Sequence, residues 1–349
     1  MWPTRLSLSV PAIAAVLAVT LASPSRAETT YPDKAVRIIV PYGPGGVADV
    51  STRMVAQKLS ERLGQNFFID NRPGAGLIVA ARAALSFAHD GYTLFLSGNG
   101  GAISESLFKS LPYHLTTDFQ EASGLSEFEM LLVTKAGSPL TSVAKVVETA
   151  KASPGKLNFG TIAPGSTQNL SAVLFTMVTG IKASVVTFRT TPELITALVR
   201  GDIDVGFDYY AALRPALDSG QLKVFAVSGD HPDPLLPAVP TVKDSGYPDY
   251  IVTSWNGLSV PAGVSKDVVA KINTAVNATL QDPDLRKKMA QFGLEPMVGT
   301  PEQIVEWFAR LHEAGCDGVQ VNFFDYLPDL EFFGREVIPL MVQAGLRRA

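Results

Sequence analysis

VRIIVPYGPGGVAD, residues 36–49, is an apolar run stopped by proline and glycine and followed at once by a helical pattern. Apart from Arg37, residues 36–40 are all apolar, which predicts a buried parallel strand. Val47, Val50, Met54, Val55, Leu59 and Leu63 then recur at spacings of three and four, and Gly64 stands where a C-terminal cap belongs. The result is a βα unit whose loop, residues 41–49, lies at the carboxyl end of its strand. A second loop of the same build, GTIAPGSTQN at 160–169, follows a strand at 157–160 and opens a helix at 167–179 closed by Gly180. Glycine lets backbone approach a ligand, and a helix N-terminus aims unsatisfied N–H groups and partial positive charge at it. Each loop is therefore a candidate anion cradle. Because each has its own set of strand and helix patterns around it, the two are expected on two lobes that close on one small anion.

Around the first loop, a strand at 67–70 leads through NRPGAG (71–76) to a helix at 78–87, and a strand at 92–96 ends in the glycine-rich SGNGG (97–101). The alternation restarts at 130–133. It continues with a helix at 142–152, a strand at 184–188, a helix capped by Thr191 with Pro192 in its first turn, a strand at 203–207, a helix at 210–219 and a strand at 223–227. After a proline-rich stretch at 232–240, a strand at 251–255 is expected to cross back, and helices capped by Ser265 and Asp282 should pack on the first lobe. Two crossings between lobes make a hinge.

Arg5, the apolar stretch 6–22 and Ser25-Arg26-Ala27 read as an export signal, residues 1–27, with the mature chain starting at Glu28. Pro11 interrupts the apolar stretch and a cleavable site ends it, which favours a signal over an anchor; nothing later is apolar and long enough for direct membrane insertion. A net charge of −4 without a basic tract argues against a nucleic-acid partner. With Cys316 alone there is no internal disulfide, and zinc or iron–sulfur sites lack ligands. His89, His114, His231 and His312 have no metal or triad spacing, and no G-x-S-x-G elbow is present. No catalytic residue, metal or cofactor is expected.

In the first cradle, Gly45, Gly46, Val47 and Ala48 would offer backbone N–H groups, with Asp49 fixing the loop or meeting an ammonium on the ligand. In the second, Gly165, Ser166, Thr167 and Gln168 open the helix. The spacing from Gly160 imitates a phosphate loop, but Ser166 stands where the lysine is needed, so nucleotide is excluded and the hydroxyls suit an uncharged or singly charged carboxylate end. Arg189 is placed to pair with an anion, or is an exposed strand-end arginine; Asp208 either accepts from a ligand hydroxyl or amine or caps the next helix. Tyr42 and Ser97 complete the candidate set, and Trp255 is assigned to hinge packing.

The order of VRIIVPYGPGG, DNRPGAG with DGYTL, LPYHLTTDF, SPGKLNFG, LPAVPTVKDSGYPDY and SWNGLSVPAG, from Tyr31 to about Pro296, resembles the extracytoplasmic substrate-binding proteins of tripartite tricarboxylate transporters, the Bug proteins. The resemblance implies an α/β fold of two lobes, a type II periplasmic binding protein or flytrap with two hinge crossings. Lobe 1 would be 28–128 with 250–297, and lobe 2 would be 129–249. It further implies a periplasmic, non-enzymatic binding protein that holds a small carboxylate partly through backbone groups and water, and delivers it to membrane transporter subunits. Ala48 stands where many relatives have a hydroxyl residue, and 166–169 and 186–190 also depart from the family pattern, so the ligand does not follow from the resemblance. Residues 298–349 form an atypical C-terminal segment that resembles the last βα unit of luciferase-like flavin monooxygenases, with Thr300-Pro301-Glu302 as a possible junction. Two alternatives follow: the ligand-binding component of a sensory system, or a flavin-dependent monooxygenase-related fusion enzyme.

Overall fold

A computed structural model describes residues 31–297 except Gly76, Phe108 and Lys109, and beyond these only Pro339 and Met341. The expected export signal, and all but those two residues of the atypical C-terminal segment, lie outside the described residues. The chain opens with β1 (Val36–Val40), α1 (Val47–Leu63), β2 (Phe67–Asn71), α2 (Ile78–Ser86), β3 (Thr93–Gly98), α3 (Asn99–Leu107) and α4 (Leu115–Asp118). β1 pairs in parallel with both β2 and β3, the pattern that βα crossovers impose. Val36, Ile38 and Val40 are fully buried beneath Val55 and Leu59 of α1. Gly64 ends α1 at φ +67, its N–H donating to the Ser60 carbonyl at 3.0 Å.

β4 (Phe119–Lys135) changes sheets midway. Its first part, up to Glu129, pairs antiparallel with β9 (Thr253–Pro261), which also borders β3; from Met130 on it pairs with β7 (Val205–Tyr209) and β8 (Leu222–Val227). The remaining second-lobe elements are α5 (Val143–Ala152), β5 (Asn158–Ile162), α6 (Thr167–Thr179), β6 (Ser184–Phe188), α7 (Thr191–Arg200) and α8 (Tyr210–Asp218). β5 lies in parallel between β6 and β7. The chain closes on the first lobe with α9 (Lys266–Leu280), α10 (Pro283–Ala290) and the short β10 (Glu295–Pro296) paired to β4. Ser265 and Asp282 cap α9 and α10 through their side chains, as the sequence predicts.

The crossings are stitched by Ser228, which is fully buried. Its hydroxyl accepts from the Met130 N–H at 2.9 Å and donates to the Val252 carbonyl, while its own N–H donates to the Met130 carbonyl. Three segments thus meet at one hydroxyl, all within the span where the chain passes between lobes.

Three expectations are corrected. The strand expected at 130–133 is the end of a strand of 17 residues. Its earlier part escaped notice because Glu121, Glu127 and Glu129 interrupt the apolar run and two register shifts, at Glu121/Ser123 and Gly124/Ser126, break the alternation. The strand expected at 92–96 runs on through Ser97 to Gly98, and a helix not expected there opens at Asn99. The cap of α7 is Thr190, whose hydroxyl accepts from the Glu193 N–H, since the Thr191 hydroxyl donates instead to Asp208.

Candidate functional site

A cavity of about 30 Å³, enough for about two waters by the usual requirement, lies between the lobes. Tyr42, Gly46, Val47 and Ala48 wall it from the first lobe, and Thr167, Gln168 and Arg189 from the second. These sequence candidates, over a hundred residues apart, are brought together.

The other candidates stand behind the wall. Gly45, at φ +83, lets the loop turn, and its N–H donates to Asp49 Oδ2 at 3.0 Å. Asp49, buried, takes Arg53 Nε at 2.9 Å and Asn71 Nδ2 at 3.0 Å on its other oxygen, and Asn71 Nδ2 also holds the Tyr42 carbonyl. The aspartate therefore ties the first loop to β2. Ser166 caps α6 by accepting from the Asn169 N–H and donates to the Ile162 carbonyl, while Gly165 N–H donates to Asn169 Oδ1. Ser97 of β3 donates to Glu121 of β4, across the intervening β9.

Asp208 is fully buried, and its oxygens are taken by Thr191 Oγ1 at 2.6 Å, the Tyr209 N–H at 2.9 Å and Gln168 Nε2 at 3.2 Å. Burial raises its carboxyl above the ordinary aspartate value against the pull of those three donors. Asp208 does not itself line the cavity; it sets Gln168 and Thr191, which do.

Several wall residues were not singled out from sequence. Tyr209, next in β7, faces the cavity; it is 3 % exposed and packs edge-on against Phe128 at 4.7 Å between ring centroids. Among the described residues its hydroxyl has no hydrogen-bond partner at good geometry, although the hydroxyls of Ser254 and Thr167 are close enough to favour its ionised form. Burial outweighs them and pushes the phenol up, so it stays an O–H donor. Tyr42 is pushed up to about 12, again by burial first. Asn99 is pinned to β9, accepting from the Trp255 N–H and donating to the Thr253 carbonyl. Trp255, expected only in hinge packing, lines the cavity. The signal for Tyr209 was strand alternation extended by two residues beyond the expected end of β7.

The electrostatics have one sign. Helices α1, α3, α6, α7 and α8 each begin at a residue of the cavity wall: Val47, Asn99, Thr167, Thr191 and the Tyr209 cap. Each N-terminus carries partial positive charge of about half a unit; α1 and α8 have no side-chain N-cap hydrogen bond, while Asp49 in the first turn of α1 and Glu193 in that of α7 offset part of theirs. Arg189 adds a full charge, and among the described residues no carboxylate pairs with its guanidinium or lines the cavity. The two lobes touch across the mouth: a Cβ on Gly43 would come within 2.5 Å of Thr190 Cγ2.

Two lobes joined by crossing strands, with an anion-seeking cavity at the hinge, define a periplasmic binding protein fold. Residues 51–312 match the family described as tripartite tricarboxylate transporter family receptor. The chain belongs to this family of periplasmic receptors, and it is a receptor rather than an enzyme. It is 30% identical over 306 residues to Protein BugT of Bordetella pertussis, covering 85% of this chain and 94% of that one. Among solved structures, an R. palustris protein with adipate superposes with TM-score 0.75 at 31% identity, covering 82% of this chain and 98% of that one. MatC from Rhodopseudomonas palustris with bound malate gives 0.72 at 30% identity, over 78% and 92%. The family match runs to residue 312, past Thr300-Pro301-Glu302, and these relatives lend the flavin monooxygenase resemblance of the tail no support. Among the described residues, no helix is long and apolar enough to cross a membrane.

Proposed function

We propose that this receptor captures a small carboxylate between its lobes and presents it to the membrane subunits of a tripartite tricarboxylate-type transporter. The observation that carries the reading is the convergence of five helix N-termini and Arg189 on one cavity free of acidic side chains among the described residues. Backbone N–H groups of Val47 and Ala48 would cap one carboxylate, with Thr167, Gln168, Tyr209 and Arg189 holding the rest. Asp49, Gly45, Gly165, Ser166 and Asp208 would act by shaping those groups. The relatives with adipate and malate support this ligand class. Because the cavity is small, the ligand enters with the lobes parted, and the sheet change of β4 near Glu129 supports lobe limits at 28–128 with 250–297 and at 129–249. Residues 1–27 would be removed on export, and residues after Gly315 would not be needed for binding.

The test is a thermal-shift and calorimetric panel of mono-, di- and tricarboxylates on the exported chain, whose intact mass should begin at Glu28. A ligand that binds only the folded form raises its melting temperature. Absence of binding by every carboxylate would refute the proposal.

A further inference from the structure

We infer that β6, the last strand at the second-lobe end of the sheet, is a docking edge for an extended segment of a partner protein, acidic at one end and β-branched along the rest. The sheet runs from β2 to β6, and among the described residues β6 pairs only with β5. The pairing is parallel: the Ser184 N–H donates to the Leu157 carbonyl, and the Phe188 carbonyl accepts from the Ala163 N–H. Alternation along such a strand turns the even-numbered residues to β5, so the N–H and C=O groups of Val185 and Thr187 face outward. The Arg189 N–H ends the row by donating to Glu193 Oε2 at 3.1 Å.

Nothing within β6 blunts that edge. Sheet edges are ordinarily protected by a proline, a charge or a bulge. SVVTF, Ser184–Phe188, has none of these and pairs with β5 without a register shift, whereas Asp70 of β2, at the opposite end of the sheet, is held by Arg37 and Arg72. Both faces beside the edge are apolar. Val185 stands across from Phe159, which packs on Phe175 of α6; Val186 stands across from Gly160, whose open face meets Ile203 and Phe188 on the α7 side. Among the described residues seven large apolar side chains are exposed, and four of them, Val173, Met177, Val186 and Val199, belong to β6 or to the helices α6 and α7 that pack over it. An added strand would find hydrogen bonds along its length and apolar surface nearby on each face.

Charge chooses the occupant. The Gly155 N–H donates to the Lys182 carbonyl, which brings the backbones of Lys156 and Lys182 together just ahead of β5 and β6. Both lysines are exposed, and neither enters an ion pair among the described residues. A second copy of the chain fits poorly. Outward residues must oppose outward residues, so antiparallel pairing centred on Val185 or on Val186 brings Lys182 of each copy within one register step of Arg189 of the other. A partner segment with acids at the lysine end gains charge pairs there and leaves Arg189 to the cavity.

Fluorescein-labelled peptides Glu-Glu-Thr-Val-Thr-Val-Thr and Thr-Val-Thr-Val-Thr-Glu-Glu, one suited to parallel and the other to antiparallel addition, test the inference on the full exported chain by fluorescence anisotropy. At least one should bind, at least about tenfold tighter than its counterpart with lysines in place of the glutamates, and more weakly as salt rises. Thr187→Pro should abolish binding, because it removes an outward N–H and spares the ladder to β5; circular dichroism checks that it folds. Lys156→Glu combined with Lys182→Glu should reverse the preference between glutamate and lysine peptides, and decides the matter if the proline variant does not fold. Equal binding of the lysine counterparts, binding that survives in folded Thr187→Pro, or no binding by either glutamate peptide would overturn the inference. So would a dimer in light scattering that Thr187→Pro dissociates, or a carbodiimide cross-link between Lys182 and an acidic residue of the chain's own segment 298–349, since the occupant would then be a second copy or the tail.

Discussion

Gly43→Ala should weaken ligand binding without weakening the fold. Gly43 lies on the first-lobe loop and meets Thr190 of the second lobe: an added Cβ would sit 2.5 Å from Thr190 Cγ2 and 3.3 Å from the Arg189 carbonyl. Carbon atoms pack at about 3.5–4.0 Å, so the lobes are about 1 Å too close for the new methyl group. Thr190 cannot simply turn away, because its hydroxyl caps α7 by accepting from the Glu193 N–H. Losing such a cap costs about 1–2 kcal/mol, and parting the lobes by that distance loosens every contact that spans them. The expected loss is therefore about fivefold to thirtyfold in Kd for whichever carboxylate the panel identifies. The free protein, able to hold its lobes apart, should keep its circular dichroism and melting temperature. Titration calorimetry of Gly43→Ala, Thr190→Ser and the double variant checks the reasoning, since serine keeps the capping hydroxyl and removes the offending methyl. The double variant should recover most of the lost affinity. Wild-type affinity in Gly43→Ala, or no recovery in the double variant, would refute the claim that this interlobe contact sets closure.

Arg189→Gln should lower affinity for a diacid at least about tenfold, as expected for a charge-assisted pair, with little change in melting temperature because no described carboxylate depends on it; calorimetry and thermal melts on the same samples check both halves. Tyr209→Phe should act with opposite signs on the two measurements: stability steady or higher, since a buried hydroxyl with no well-aligned partner among the described residues is removed and the ring contact with Phe128 stays, and ligand affinity lower. Asp70 is held below the ordinary aspartate value first by its hydrogen bond to Arg72 and then, against partial burial, by Arg37. Its contribution is present above the ordinary value and is lost as pH falls through the lowered one, so Asp70→Asn should narrow the gap to wild type in urea melts as pH drops from neutral to below 3.8. A gap that does not shrink with acid would show that the charge of Asp70 is not what the arginines hold.

Much of the architecture was legible because it is local. α1 with its Gly64 cap, α6 between Ser166 and Gly180, and the Ser265 and Asp282 caps all depend on hydrogen bonds that reach three or four residues along the chain. So do the two glycine-bearing loops, since a strand followed by a turn and a helix start puts N–H groups at the strand's carboxyl end whatever surrounds it. Local pattern failed where pairing with a distant strand decides the conformation. β4 is a strand across its polar first part because β9, more than a hundred residues later, supplies the ladder.

Which residues face the cavity was decided only by the tertiary structure. Asp208 and Tyr209 are adjacent, and charge alone favours Asp208 as the contact. Successive strand residues point to opposite faces, however, and the packing of α6 and α7 on β7 turns the carboxylate inward to Thr191 and Gln168 and leaves the tyrosine on the cavity wall. The contact of Gly43 with Thr190, the pinning of Asn99 to β9 and the place of Trp255 in the wall are likewise unwritten in any local stretch. The sequence by itself determined the units, their caps and the positive ends of their helices; folding the crossing strands over Ser228 decided which of those ends meet, because that choice rests on contacts between separate segments, Met130 lying 98 residues from Ser228 and Val252 lying 24.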